Sequence, residues 1–148
     1  GYTVTEKLKK DYPNYYKILT EIKVRYQFID QDVFLEDWAE MIQLDENKNF
    51  KQVRFSPRLD FVPLIDKEKL DLYYSARNKI SELYNSEKYR LEFKLSPGDL
   101  LMMDNHRLLH GRTAYDANEG NRFLQGCYID YDSTEGKMKH LKRKFNIS

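Results

Sequence analysis

Two of the three histidines in the 148-residue chain lie in one short stretch, and an arginine follows them. His110 ends an apolar run and is followed by Gly111, and Arg122 comes twelve residues after His110. A histidine beside a residue without a side chain has an open face towards a small ligand or a metal ion. A guanidinium group is suited to a carboxylate. The two residue types therefore indicate a site for a metal ion and an anionic ligand.

Two apolar runs are predicted to be the strands that position these residues. Residues 100–103 form a continuous apolar run, typical of a strand that is buried on both faces. Residues 123–131 predict a second strand, in which Tyr128 faces either a cavity or the core. If the two strands are neighbours, His110 and Arg122 point into one cavity. The alternatives are a core histidine at position 110 and an ion pair of Arg122 with an aspartate.

Amphipathic patterns predict the elements that support these strands. The predicted helices cover residues 3–10, 13–19, 66–84 and a basic segment after Asp132, and the predicted strands cover residues 22–28, 38–44, 50–55 and 89–95. The strands at 38–44 and 50–55 are expected to form a hairpin. Residues 29–37 are expected to be an acidic loop. The basic C-terminal segment is interpreted as a solvated helix, with contact to nucleic acid as the less favoured alternative.

Charge and composition exclude several classes of protein. The chain has 25 basic and 24 acidic residues and a net charge of +1, which favours neither nucleic acid nor an anionic membrane as a partner. It has no apolar run long enough to span a membrane. The single Cys127 lies in an apolar run, which predicts a buried thiol in a reducing compartment and hence a cytoplasmic location.

The stretch DNHRLLHGR, followed by Arg122 and then by GCYIDYD, resembles a known family. It is similar to the C-terminal half of the Fe(II)- and 2-oxoglutarate-dependent dioxygenases of the TauD/TfdA superfamily, in the branch of the gamma-butyrobetaine and trimethyllysine hydroxylases. The resemblance implies an α+β, β-centred fold, a double-stranded β-helix (jelly roll) with outer helices. It also implies hydroxylation of a small trimethylammonium-bearing amino acid such as gamma-butyrobetaine. The implied cofactors are Fe(II) and 2-oxoglutarate as cosubstrate, with ascorbate as a candidate reductant.

The same resemblance implies roles for individual residues. His110 matches the distal metal-ligating histidine, and Arg122 matches the arginine that holds the distal carboxylate of 2-oxoglutarate. Tyr128 matches a tyrosine of the aromatic cage around the trimethylammonium group. His106 stands where the family more often has tryptophan, so it is not assigned as a ligand.

One part of the family pattern is missing from this sequence. The iron site of such enzymes uses two histidines and one carboxylate, and the family supplies the other two ligands from a His-x-Asp or His-x-Glu motif. None of His106, His110 and His140 is followed two residues later by Asp or Glu. We therefore expect residues 1–148 to be the C-terminal part of one catalytic domain, inactive alone, with the motif in an absent upstream part.

Two other functions remain open on the sequence alone. One is a related 2-oxoglutarate dioxygenase that acts on a sulfonate or phosphonate. The other is a non-catalytic jelly-roll module that binds a ligand through its aromatic residues. In each case the expected partner is a small molecule, with a homodimer as an additional possibility.

Overall fold

The computed structural model describes residues 1–56, 61, 63–113 and 123–147. It divides into two compact units, Gly1–Gly111 (unit 1) and Arg112–Ser148 (unit 2). The elements of unit 1 are α1 (Tyr2–Asp11), α2 (Pro13–Glu21), β1 (Lys23–Asp30), β2 (Val33–Glu40), β3 (Ile42–Leu44), β4 (Phe50–Val53) and α3 (Lys67–Asn85), and α4 (Tyr131–Phe145) belongs to unit 2.

The first two helices follow each other with one residue between them. The Tyr12 N–H closes α1 by donating to the Leu8 carbonyl at 2.8 Å, and Pro13 begins α2. Proline suits the first position of a helix because its φ angle is already helical and the missing N–H would have had no partner there. The helices predicted at residues 3–10 and 13–19 are thus confirmed.

Helix α3 supplies the central face of the core. Tyr73, Ala76 and Ile80 recur at helical spacing and are buried, which confirms the helix predicted at residues 66–84. They pack in one hydrophobic cluster with Leu8 of α1 and Leu19 of α2. Each large apolar side chain buried in this way contributes about 1.5–3 kcal/mol to stability.

Strands β1 and β2 form a regular antiparallel hairpin with partners running from Lys23↔Glu40 to Asp30↔Val33. Strand β1 confirms the strand predicted at residues 22–28. The acidic loop predicted at residues 29–37 is wrong, because most of it lies within β1 and β2. Its apolar residues Ile29 and Phe34 are cross-strand partners, and such pairs stabilise a hairpin despite the acidic residues between them.

Strands β3 and β4 form the predicted second hairpin, and both are shorter than expected, since β3 covers Ile42–Leu44 and β4 covers Phe50–Val53. The expected strand at 38–44 is interrupted at the buried Met41, so that residues 38–40 belong to β2. The Asp45 carboxylate holds the turn, because it accepts hydrogen bonds from the N–H groups of Asn47 (2.9 Å) and Asn49 (2.8 Å). Lys48 has a φ of 64°, the left-handed conformation that a tight turn often needs.

The segment from residue 90 to residue 113 contains no strand. The strands predicted at residues 89–95 and 100–103 are therefore wrong for this structure, and Leu91 (89% exposed) and Leu100 (88% exposed) are on its surface. An alternating or apolar pattern shows that a segment suits a sheet, but a strand forms only where a neighbouring strand accepts its backbone hydrogen bonds. No such neighbour is present in the described part of unit 1.

In unit 2, α4 confirms the prediction of a C-terminal helix, and none of its residues is buried. The helix ends at Asn146 in the left-handed conformation, and the Ile147 N–H donates to the Lys142 carbonyl at 3.0 Å. The strand predicted at residues 123–131 is wrong, because residues 123–130 have no regular structure and Tyr131 begins α4. Cys127 is exposed, so the prediction of a buried thiol is also wrong.

These elements confirm the α+β class. The sheets in the described residues are two antiparallel pairs, β1–β2 and β3–β4. None of the helices in the described part of the chain is both long enough and apolar enough to cross a membrane.

Candidate functional site

A tight turn precedes His110. The Asp104 carboxylate accepts a hydrogen bond from the His106 N–H at 3.0 Å. The Asp104 carbonyl accepts from the N–H groups of Arg107 and Leu108, each at 3.1 Å. An aspartate that bonds to the backbone two residues later is a common way to start such a turn. Asp104, a polar residue of the sequence motif, thus stabilises this turn.

Two backbone hydrogen bonds hold this turn against the rest of unit 1. The Val53 N–H of β4 donates to the His106 carbonyl at 3.1 Å, and the Tyr2 N–H of α1 donates to the Arg107 carbonyl at 3.2 Å. Leu109 is partly buried and packs against the hydrophobic core. The backbone immediately before His110 is therefore held by β4, by α1 and by the core.

The Arg107 side chain adds a third connection between the turn and the same two elements. Its guanidinium carbon lies 4.6 Å from the centre of the Tyr2 ring and 5.9 Å from that of Phe50. The two rings meet edge to face, with centroids 5.5 Å apart. Gly1 approaches the Arg107 carbonyl so closely that a Cβ atom at position 1 would overlap with it. The first residues of the chain and the turn are therefore packed tightly together.

His110 is exposed, at the end of this held segment. Among the described residues, no heavy atom lies within 4 Å of the place that a Cβ of Gly111 would occupy, which agrees with the open face expected beside the histidine. Across residues 1–56, 61, 63–113 and 123–147, no group of three or more His, Cys, Asp or Glu side chains is arranged to hold a metal ion. The described residues therefore do not fit a complete iron site, and His110 is one candidate ligand.

The structure describes one of the other two predicted site residues. Arg122 lies outside the described residues. Tyr128 belongs to unit 2 and is 87% exposed, so its ring faces solvent there. That His110 and Arg122 share one cavity, and that Tyr128 faces it, stay predictions.

Sequence reasoning missed the contact of Arg107 with Tyr2 and Phe50. The three residues are far apart in the chain, and no periodic pattern connects them. The only available signal was the position of Arg107 inside the motif, between two histidines.

Comparisons with known proteins agree with the motif. Residues 1–128 match the taurine catabolism dioxygenase TauD, TfdA family. The chain is 31% identical over 149 residues to gamma-butyrobetaine dioxygenase from Homo sapiens, covering 97% of this chain and 38% of that protein. The chain therefore belongs to the TauD/TfdA dioxygenase family.

Two further relatives carry related names. Gamma-butyrobetaine dioxygenase from Pseudomonas sp. (strain AK-1) is 28% identical, over 97% of this chain and 37% of that protein. The mitochondrial trimethyllysine dioxygenase from Gallus gallus is 21% identical, over 89% of this chain and 32% of that protein. The chain thus spans between about a third and two fifths of the length of these relatives.

Proposed function

We propose that the protein to which this chain belongs is an Fe(II)- and 2-oxoglutarate-dependent dioxygenase that hydroxylates a small trimethylammonium-bearing amino acid, such as gamma-butyrobetaine. The observation that carries the proposal is the similarity of nearly the whole chain to gamma-butyrobetaine dioxygenases, inside a family match over residues 1–128. The trimethyllysine dioxygenase relative supports the same substrate class, because its named substrate also carries a trimethylammonium group.

We also propose that residues 1–148 are the C-terminal part of one catalytic domain built on a double-stranded β-helix. Three observations support this division. The chain covers 38% of the human relative, and none of its histidines begins a His-x-Asp or His-x-Glu motif. In addition, apolar residues between positions 91 and 102 are exposed where the sequence pattern suits a sheet. Strands from an upstream part of the domain would supply the missing hydrogen-bond partners.

The proposed roles of the site residues follow from their chemistry. His110 supplies one imidazole ligand to iron, and its exposure leaves the ring accessible to the other ligands. Arg122 holds a carboxylate of 2-oxoglutarate through a two-point hydrogen-bonded ion pair. Tyr128 offers the face of its ring to the substrate cation. When bound, Fe(II) and 2-oxoglutarate would together activate O₂, which is the oxidant for the substrate C–H bond, while 2-oxoglutarate is itself oxidised to succinate and CO₂; ascorbate is the proposed reductant that maintains Fe(II).

The test is the formation of succinate from 2-oxoglutarate by the full-length protein, with and without Fe(II). Gamma-butyrobetaine, trimethyllysine and taurine are compared as substrates. We expect iron-dependent succinate that increases with a trimethylammonium substrate, and loss of this activity in His110→Ala. His140→Ala is the matched control, because His140 is an exposed histidine of α4.

Two results would contradict the proposal in different ways. If taurine stimulates succinate formation and the trimethylammonium compounds do not, the substrate class is wrong and a sulfonate dioxygenase replaces it. If no iron-dependent succinate forms with or without these compounds, the proposed activity is wrong and a non-catalytic binding module becomes the better hypothesis.

A further inference from the structure

We propose that one face of α4 binds an apolar groove with acidic residues on its rim, and that this groove belongs to the part of the same protein outside residues 1–148. Met138, Leu141 and Phe145 form this face, the α4 stripe. The inference rests on the proposed function, because it takes residues 1–148 as one part of a larger catalytic domain. It goes further in naming a surface that contacts the other part and the chemistry of its partner.

The α4 stripe has the spacing of a helix that fits into a groove. Its residues stand at positions i, i+3 and i+7. At about 3.6 residues per turn they fall within an arc of about 60°. This is narrower than the face of about 100° or more by which a surface helix usually packs on a core. Anchors with this spacing are typical of a helix bound in a groove.

The stripe is exposed in the described structure, although α4 is a helix that needs support. Met138, Leu141 and Phe145 are 50%, 39% and 59% exposed, and none of the 15 residues of α4 is buried. A helix of this length is marginal in water on its own, because most helical stability in proteins comes from the packing of an amphipathic face. We therefore expect the stripe to be covered in the intact protein.

The charges beside the stripe favour an acidic partner. Residues 136–145 contain five basic residues and no acidic one. On one side of the stripe, Lys142 lies about 40° around the helix from Met138. On the other side, Lys137 lies about 40° from Leu141. In the part of the chain that the structure describes, no carboxylate pairs with either lysine. Carboxylates on both sides of an apolar groove would complement this pattern.

The charge and the small size of the stripe favour a groove in the same protein. A second copy of α4 would bring lysines together on both sides of the stripe, and like charges repel. Three half-exposed side chains also bury much less area than a stable interface between separate molecules needs. A tethered partner avoids most of the entropy cost of association. The chain covers 38% of the human relative, so most of a protein of that length is left to provide the groove.

The experiment treats the full-length protein with a zero-length carbodiimide, which couples a lysine amine to a carboxylate only where the two are in contact. Mass spectrometry of the digested product identifies the coupled residues, and a denaturing gel separates links within one chain from links between two. We expect Lys137 and Lys142 to couple to Asp or Glu residues outside residues 1–148 in the same chain. Lys139 is the internal control, because its Nζ lies 2.9 Å from the Glu135 carboxylate.

Hydrogen exchange of the α4 amides measures the docking without cross-linking. Leu141→Gln is matched by His140→Gln, and Lys142→Glu by Arg143→Glu, because His140 and Arg143 lie on the opposite side of the helix. We expect Leu141→Gln and Lys142→Glu to speed this exchange about two- to tenfold, since each removes a contact that holds the helix in the groove. The two control variants should exchange at the rate of the parent.

Three results would overturn the inference. Links between two chains, with a covalent dimer on the gel, would make the stripe a self-association surface. Protection of α4 that appears only with vesicles of equal parts phosphatidylcholine and phosphatidylserine would make it a lipid-binding surface. Equal exchange in the parent and in all four variants would show that the stripe is not docked.

A failure of the proposed function is recognised separately, because neither measurement on α4 requires iron or 2-oxoglutarate. Iron-dependent succinate formation by a protein with an undocked α4 would contradict the docking alone. A protein that shows the expected links within one chain and forms no succinate would contradict the activity, and the docking would stand.

Discussion

Arg54 and Asp37 form an ion pair that joins the residue after β4 to the middle of β2. Asp37 is the cross-strand partner of Tyr26, and the Tyr26 hydroxyl donates a hydrogen bond to the Arg54 carbonyl at 3.0 Å. The Arg54 guanidinium also lies 5.7 Å from the centre of the Tyr26 ring. One arginine therefore connects both strands of the first hairpin to the end of the second.

This ion pair predicts a pH-dependent contribution to stability. The hydrogen bond and the charge of Arg54 hold the pKa of the Asp37 carboxyl below its ordinary value of 3.8. A lowered carboxyl pKa stabilises the fold above the ordinary value, and this stabilisation is lost as the pH falls through the lowered pKa. Asp37→Asn should reduce the free energy of unfolding at pH 7 by about 0.2–1 kcal/mol, the range for an exposed ion pair.

The measurement is urea denaturation of the parent and Asp37→Asn between pH 7 and pH 2. The difference between the two proteins should shrink below pH 4. Asp32→Asn, in the turn of the same hairpin, is the control for removal of one negative charge. A difference of equal size at all pH values, or one that Asp32→Asn reproduces, would contradict the assignment to Arg54.

Truncation of the core residue Ile80 should lower the free energy of unfolding more than Asp37→Asn does. Its side chain is fully buried, and Ile80→Ala leaves a cavity that costs about 2–5 kcal/mol of unfolding free energy. Leu72→Ala is the matched control on the same helix, because Leu72 is 37% exposed. Its expected cost is smaller than that of Ile80→Ala, since part of the side chain is already in water. Comparable losses in the two variants would mean that α3 packs differently.

The isolated 148-residue chain should bind Fe(II) weakly and should not convert 2-oxoglutarate. The proposed site needs two more ligands than His110 provides, and a metal bound by one imidazole is easily lost to water or buffer. Equilibrium dialysis under anaerobic conditions measures the bound iron. Tight binding of one iron per chain would contradict the proposal that the ligands are divided between this chain and an upstream part.

Arg122→Ala in the full-length protein should weaken the binding of 2-oxoglutarate strongly. Truncation of one partner of a buried, hydrogen-bonded charge pair costs about 2–5 kcal/mol, equivalent to a 30-fold or greater increase in Kd. Anaerobic titration of 2-oxoglutarate into the Fe(II)-loaded protein gives this Kd directly. Arg112→Ala is a nearby arginine control. If the affinity is unchanged in Arg122→Ala, a different residue holds the cosubstrate.

Substitutions of Tyr128 test which class of substrate the protein recognises. Tyr128→Phe should have a mild effect, because a cation is attracted by the face of the ring rather than by the hydroxyl. Tyr128→Leu retains much of the bulk and loses the aromatic face, so the KM for gamma-butyrobetaine should rise about 2- to 30-fold. The measurement is the initial rate of succinate formation as the concentration of gamma-butyrobetaine is varied.

Decarboxylation of 2-oxoglutarate without substrate is the control for both Tyr128 variants. It should survive in each, because it depends on the metal and the cosubstrate rather than on the cation. If Tyr128→Phe and Tyr128→Leu behave alike on the betaine, Tyr128 is not part of a cation site, and a sulfonate or phosphonate becomes the better candidate substrate.

The sequence predicted the helices of this fold well, because a helix makes its hydrogen bonds within one segment. The periodic burial of Tyr73, Ala76 and Ile80 was visible as spacing alone. Strands depend on a distant partner, and this explains the errors. Leu91 lies in a clear alternating pattern yet is exposed, since no strand of the described residues pairs with that segment. An alternating pattern shows that a segment can form a strand, and the presence of a neighbouring strand determines whether it does.

For the candidate site, too, local features were predicted from the sequence and contacts between distant segments were not. The motif identified the family, because the family is recognised from a short local string of residues, and it made His110 a candidate ligand. It did not predict the contact of Arg107 with Tyr2 and Phe50, since a cation–π contact between distant segments leaves no mark on local spacing. The exposed positions of Cys127 and Tyr128 were missed because both were assigned to a strand that does not form.

The hairpin of β1 and β2 has a practical consequence for handling the isolated chain. Within the described residues its sheet has two strands, and Phe34 and Leu35 are exposed beside the outer edge of β2. Open backbone groups next to apolar side chains form a template for a strand of another molecule. We expect self-association through this edge to grow with concentration, so that a melting scan of a concentrated sample follows the rate of precipitation instead of an equilibrium.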